Sequence, residues 1–171
     1  MTGRNGNADG IELGRSQVRA LRDRVDAAVA RGSNALAATE SSSGSREAGK
    51  RIALLAAAAG LDKKAEDVKI IDVVGKVDYA DYLVLMTGAS DRNVAAIARG
   101  VEADLAKASV RALALEGLPL ARWVLIDFVD VVVHVFQEEW RSIYDLDGLW
   151  MDAPRIPVPV SPGDKERQAL E

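Results

Sequence analysis

Cysteine is absent from all 171 residues, and histidine occurs once, as His134. The first absence excludes disulfides, thiolate zinc sites and a cysteine nucleophile, and the second removes most histidine-based metal sites. Long apolar runs are missing too. A stretch such as IALLAAAAGL at 52–61 falls well short of the roughly 20 residues that span a bilayer, so no transmembrane segment is expected. The start, MTGRNGNADG, lacks the apolar core and small-residue cleavage site of a secretory signal, and Asp9, Glu12, Asp23 and Asp26 disfavour a transit peptide. The expected location is the cytoplasm. Aromatics make up 5% of the chain, so each one placed near another is informative.

The length suits one domain with a sizeable core plus tails, and the 49% hydrophobic share is that of a globular protein. The net charge of −4 is unevenly spread. Residues 1–50 carry eight Lys and Arg against six Asp and Glu, and the remainder carries fourteen against twenty. An acidic folded part argues against direct nucleic-acid binding through phosphate neutralisation and suits a basic protein partner.

Composition divides the chain in three. Residues 1–45 read as a flexible extension, Gly and Asn rich at the start and ending in the linker ATESSSGS, with Val18, Leu21, Val25 and Val29 at the spacing of a short amphipathic helix. Residues 154–171 hold four of the five prolines and are expected to be extended or disordered. Between them, 46–153 form the domain. REAGKRIALLAAAAGLDKKA predicts a helix ended by Gly60. DVKIIDVVG is β-rich, and DYLVLMTG is the apolar run of a strand covered on both faces. Ser90 is placed to cap a helix carrying Val94, Ile97, Ala98, Val101 and Leu105 on one stripe. VRALALEG, WVLIDF and VVVHVF read as three more strands, and QEEWRSIYDLDGLW as a last helix. The order predicts an α/β fold, a single domain with one mixed five-stranded sheet flanked by helices.

A two-residue turn at Phe128-Val129 sets Asp127 opposite Asp130, Leu125 opposite Val132 and Trp123 opposite His134. One hairpin face is then aliphatic (Val124, Ile126, Val131, Val133, Val135), and the other mixes Trp123, Leu125, Asp127, Asp130, Val132 and His134. Full burial of that mixed face would leave two carboxylates unpaired at a cost of several kcal/mol. Three readings follow. The face is half exposed beneath a helix or the tail; or Asp127 and Asp130, with Cβ atoms roughly 5 Å apart, join Glu116 of the neighbouring strand in a divalent-metal site; or an amphipathic Trp ringed by polar groups is a protein-binding hot spot.

Elsewhere, TGASDRN joins a strand to a helix N-terminus but lacks a G-x-G-x-x-G spacing or a Walker lysine, so it reads as a turn with Thr87 and Ser90 as caps. Asp78 and Asp81 read as solvated or capping acids. Trp140, Ile143 and Tyr144, then Leu146, Leu149 and Trp150, pack a helix on the sheet or extend the hairpin surface. No Ser/His/Asp order with an elbow motif occurs.

DKKAEDVKIIDVVGKVDYADYLVLMTGASDRNVAAIARGVEADL, followed by LEGLPLARWVLIDFVDVVVHVFQEEWRSIYDLDGLW, resembles the ribosomal silencing factor (Iojap-like) family along nearly all of residues 48–153. The resemblance implies a fold related to nucleotidyltransferases without their catalytic carboxylates, no enzymatic activity and no cofactor. It implies binding to the large ribosomal subunit through its fourteenth protein, blocking of subunit joining in stationary phase or starvation, and a homodimer when free. It implies a contact surface centred on Trp123, with Asp127 and Asp130 as partners for basic side chains and Tyr144 to Trp150 at its edge. His134, Glu116 and Leu149 complete the candidate partner-binding set. Many relatives carry Gly in the hairpin turn where this chain has Val129, which puts the assumed turn and register in question. The alternatives are a metal-dependent nucleotidyltransferase-like enzyme using Asp127, Asp130 and Glu116, and a homodimeric ribosome-assembly module. Against the enzyme, TGAS is followed by Asp91 alone where such enzymes place paired acids.

Overall fold

A computed structural model describes residues 41–160, and the side chains from residue 43 onward. The expected N-terminal amphipathic helix and the end of the Pro-rich tail lie outside the described residues. Helix α1 spans Ser41–Asp62, β1 Glu66–Asp72, β2 Tyr82–Gly88, α2 Asp91–Lys107, β3 Ala114–Glu116, β4 Trp123–Asp127, β5 Val131–Gln137, α3 Glu138–Tyr144, α4 Leu146–Leu149 and β6 Arg155–Ile156. They form one mixed sheet of order β3-β4-β5-β2-β1-β6. Only β2 and β5 run parallel; every other neighbouring pair is antiparallel.

The sheet has six strands where five are expected. The added strand comes from the start of the Pro-rich tail, where Ile156 pairs with Ile70 and Arg155 with Ile71. The third strand shrinks to three residues. Helix α1 begins inside the ATESSSGS linker and runs past Gly60. Its end is made by Lys64 at φ 64, with the Ala65 amide donating to the Gly60 carbonyl at 2.9 Å. Gly60 serves instead in close packing, because a Cβ there would lie 2.6 Å from Met86 Sδ. The last helix breaks in two at Asp145, which turns left-handed at φ 40 and caps α4 by accepting from the Gly148 amide.

Alternation along the strands builds two cores. On one face Ile70, Val84, Met86, Val124, Ile126, Val133 and Val135 pack against α1 and against Val94, Ile97, Val101 and Leu105 of α2. On the other, Leu83, Leu85, Trp123, Leu125, Val132 and Phe136 lie under Trp140, Tyr144, Leu146 and Trp150. Strand β2 is buried along its whole length, as its unbroken apolar run predicts.

Candidate functional site

The hairpin register differs from the expected one. Trp123 faces Phe136, Leu125 faces His134 and Asp127 faces Val132. The turn lies one residue later than expected: the Phe128 amide donates to the Val131 carbonyl at 2.8 Å, which leaves Val129 and Asp130 between them, and Val129 sits at φ 75. Asp127 Oδ1 accepts from the Val129 amide at 2.7 Å and so holds the turn. Partners shift by two positions, so each side chain keeps its face while the cross-strand pair Asp127–Asp130 is not formed. Among the described residues no group of three or more His, Asp or Glu is gathered as a metal site. Glu116 opposes Leu125 on the edge strand β3.

The mixed face is not exposed. Trp123, Asp127 and His134 retain 2%, 2% and 1% of their accessible surface. Trp123 Nε1 donates to His134 Nδ1 at 3.0 Å, which leaves that imidazole nitrogen unprotonated. The indole stacks on Phe136 at 5.0 Å and meets Tyr144 at 4.5 Å. The cover is α3 with α4, and the burial of Trp123 places it as the platform on which these helices sit. Asp130 lies in the turn beside α1, its carbonyl accepting from the Asp81 amide at 2.7 Å. Burial and the nearby Asp130 charge raise the pKa of Asp81.

Apolar side chains of the cover and the turn after it reach solvent, as do Leu113, Leu120, Val129 and Val160 elsewhere. Ile143, Leu149 and Met151 are 59%, 64% and 80% exposed. Tyr144 and Trp150 are half buried between them and the sheet, and Glu138, Glu139, Asp145 and Asp152 are exposed nearby in the chain. Of the residues expected at a contact, Tyr144 lies on α3, Leu149 and Trp150 on α4 and its cap, Trp123 and His134 are buried beneath these helices, and Asp127, Asp130 and Glu116 lie on β4, in the hairpin turn and on β3. Ile143, read only as packing the helix or extending the hairpin surface, and Met151 are not in the expected partner-binding set, although apolar side chains flanking the Tyr144 to Trp150 stretch are visible in the sequence.

Sequence reasoning also passes over Arg141. This buried arginine donates from Nη1 to the Asp67 carbonyl at 2.7 Å and to Thr87 Oγ1 at 2.8 Å. It grips Asp147 through Nε at 3.0 Å and Nη2 at 3.2 Å, and pairs with the Asp67 carboxylate at 3.0 Å. Asp67 reaches it because β1 bulges between Glu66 and Lys69, with Asp67 at φ 43. Lys69 adds a contact to Asp147 at 2.9 Å. Burial tends to raise the Asp147 pKa, but the hydrogen bonds from Arg141 and Lys69 overcome it and hold the carboxyl at about 2. The network fixes α3 and α4 to the end of the sheet.

The TGASDRN turn is internally satisfied, as a turn with a cap. Ser90 Oγ accepts from the Asn93 amide at 3.1 Å, and Asn93 Oδ1 accepts from the Ala89 amide at 3.0 Å. Thr87 is not a second cap, since its hydroxyl serves Arg141. A cleft of about 480 Å³ beside it is lined by Ser90, Asp91, Pro119, Leu120, Arg122 and Gln137, which sets an acid and a base beside two apolar side chains. No helix among the described residues is long and apolar enough to cross a membrane.

Comparison with known proteins agrees with the sequence resemblance. Residues 45–171 match the model of the family described as "Ribosomal silencing factor during starvation". Ribosomal silencing factor RsfS of Bacillus subtilis is 46% identical over 105 residues, which are 61% of this chain and 89% of that protein. The chloroplastic protein Iojap of Zea mays is 29% identical over 66% of this chain and 47% of its own length. A crystal structure of a Chromobacterium violaceum protein superposes with TM-score 0.59 at 33% identity, covering 66% of this chain and 93% of that one. A second, from Bacillus halodurans, gives TM-score 0.54 at 38% identity over 61% and 94% of the two chains. With three quarters of its length matched and its mixed sheet shared with these solved structures, the chain belongs to the ribosomal silencing factor family.

Proposed function

We propose that this protein is a non-enzymatic, cytoplasmic repressor of translation. It binds the large ribosomal subunit through that subunit's fourteenth protein, and by occupying the face that meets the small subunit it blocks joining. The observation that carries the reading is the family match over residues 45–171. The outer side of α3 and α4 is the surface best suited to the contact. Exposed Ile143, Leu149 and Met151 supply desolvation energy, and the acids around them favour encounter with a basic partner. Trp123 and His134 act beneath this surface as positioning residues, and Tyr144, Leu149 and Trp150 meet the partner. The same face, left uncovered, is where two free copies would pair. No cofactor takes part.

The test is sedimentation with purified subunits. The wild-type chain is expected to travel with large subunits and to suppress their joining to small ones, and Leu149→Asp to weaken binding by at least about tenfold. Because Leu149 is exposed, the substitution should leave the melting temperature nearly unchanged. Undiminished joining in the presence of excess wild-type protein would refute the reading.

A further inference from the structure

Strands β2 and β5 run parallel and side by side, so that Gly88 at the end of one lies next to Gln137 at the end of the other. The chain leaves these two ends for opposite faces of the sheet. Helix α2 packs on one face through Val94, Ile97, Val101 and Leu105, and α3 on the other through Trp140 and Tyr144. In an open α/β sheet this divergence opens a crevice outside the carboxyl ends of the strands, and ligands bind there. The cleft of about 480 Å³ occupies that place. Ser90 and Asp91 line it after β2, Gln137 at the end of β5, and Pro119, Leu120 and Arg122 ahead of β4. Its volume falls within the roughly 300–1,000 Å³ of small-molecule sites.

Two opposite charges line the cleft without neutralising each other. Among the described residues the Arg122 guanidinium has no ion pair and no hydrogen bond, and its Nη1 is shut off from water without an acceptor. The guanidinium lies over the Trp140 ring at 5.5 Å, a stack that holds one planar face and leaves the in-plane N–H groups for a carboxylate. Asp91 has no cationic partner among the described residues; its Oδ1 accepts only from the neighbouring Arg92 amide, at 2.7 Å. Ser90 Oγ accepts from the Asn93 amide and keeps its own proton to donate. Gln137 Nε2 donates to the Ala121 carbonyl at 3.3 Å, which leaves its side-chain oxygen as an acceptor.

We infer that this cleft binds a small zwitterion of the amino-acid type. The carboxylate meets Arg122 and the Ser90 hydroxyl, the ammonium meets Asp91 and the Gln137 oxygen, and an apolar side chain lies against Pro119 and Leu120. An inorganic anion would satisfy Arg122 but set a like charge beside Asp91, and an uncharged ligand would leave both groups unpaired. A ligand that is neutral overall and carries both signs neutralises both. Asp91 and Leu120 are exposed, so each contact is made near water and the expected Kd is about 1 mM. Binding there does not depend on the α3–α4 surface meeting the ribosome.

Titration of the nitrogen-15-labelled full chain with L-leucine tests the site. The amides of Ser90, Asp91 and Gln137 and the Arg122 side-chain N–H are expected to shift saturably, with a midpoint of about 1 mM. The Val129 amide, in the turn at the other end of β5, should not move. Asp91→Asn and Arg122→Gln should each weaken binding by at least about tenfold. L-leucinamide, which lacks the carboxylate, and isocaproate, which lacks the ammonium, should bind more weakly by a similar factor. Absence of a saturable shift with L-leucine overturns the inference. Undiminished binding by Asp91→Asn does so as well, and because Asp91 is exposed that variant decides the matter even if Arg122→Gln disturbs the stack on Trp140. If inorganic phosphate or isocaproate matches L-leucine, the cleft reads an anion alone and the zwitterion assignment is wrong.

Discussion

Arg141 and Asp147 hold each other by two side-by-side contacts, Nε to Oδ2 at 3.0 Å and Nη2 to Oδ1 at 3.2 Å, across the left-handed break that separates α3 from α4. A bidentate pair of this kind fixes orientation as well as distance. The angle at which the two short helices meet the sheet therefore depends on one carboxylate staying ionised.

That dependence has a definite pH signature. The folded carboxyl of Asp147 titrates at about 2 against an ordinary 3.8. A depressed folded value means that its contribution is complete above the ordinary value and is lost as pH falls toward 2. Denaturation at a series of pH values should show wild-type stability falling through this window, with a shallower fall in Asp147→Asn. Parallel curves for the two proteins would mean that the pair contributes nothing to folding.

The buried Trp123–His134 hydrogen bond predicts a different kind of loss. His134→Leu keeps the site apolar but leaves the indole N–H without this acceptor, at a cost of about 1–3 kcal/mol. His134→Gln, whose amide oxygen can accept, should recover part of it. Urea denaturation gives the energies, and the chemical shift of the Trp123 indole proton reports whether the bond is remade. Equal stability of the Leu and Gln variants would show that the bond itself carries no energy.

At the hairpin turn the expected change is a gain. Val129 adopts φ 75, a region that costs a side chain with Cβ about 1–2 kcal/mol, while glycine would lose roughly 0.5–1 kcal/mol through its freer unfolded chain. Val129 is half exposed and gives up little burial. Val129→Gly should therefore raise stability by about 0.5 kcal/mol, and a drop on chemical denaturation would locate unrecognised packing at that methyl pair.

Gly88 ends β2 where the chain turns into α2, and a Cβ there would lie 2.7 Å from Val94 Cγ2 and 2.9 Å from the Val94 amide nitrogen. Backbone cannot move aside as a side chain can. Gly88→Ala should cost about 1–3 kcal/mol, of the order of other overpacked sites, measurable as a lower denaturation midpoint. A neutral result would mean that the start of α2 can shift.

The sequence carried the strands and their faces further than their pairing. Alternation in WVLIDF and VVVHVF sorts each side chain to the correct core even though the partners were misplaced by two residues, because such a slip preserves the period of two. What alternation cannot reveal is the cover. Trp123 looked like a surface group because its face also carries Asp127 and His134, yet Asp127 is absorbed by its own turn and His134 by the indole. Arg141 left little local trace: only Asp147 is near it in the chain, while Thr87 and Asp67 lie 54 and 74 residues away and Asp67 meets it through a bulge. Ile143 reads together with Trp140 and Tyr144, as packing inward or extending the hairpin surface, and Met151, in the turn after α4, carries no reading of its own; the structure leaves both exposed.

The short strand β6 bears on how the protein behaves in a crowded solution. Without it, β1 would present an open line of amides and carbonyls at one margin of the sheet, the kind of template on which chains stack edge to edge. Arg155 and Ile156 occupy part of that line, and Pro154 and Pro157 on either side have no N–H to offer a further strand. At the far margin β3 is only three residues long. Both ends of the sheet are thus poor seeds for aggregation, which leaves the molecule free to carry a sticky apolar face elsewhere without precipitating through its strands.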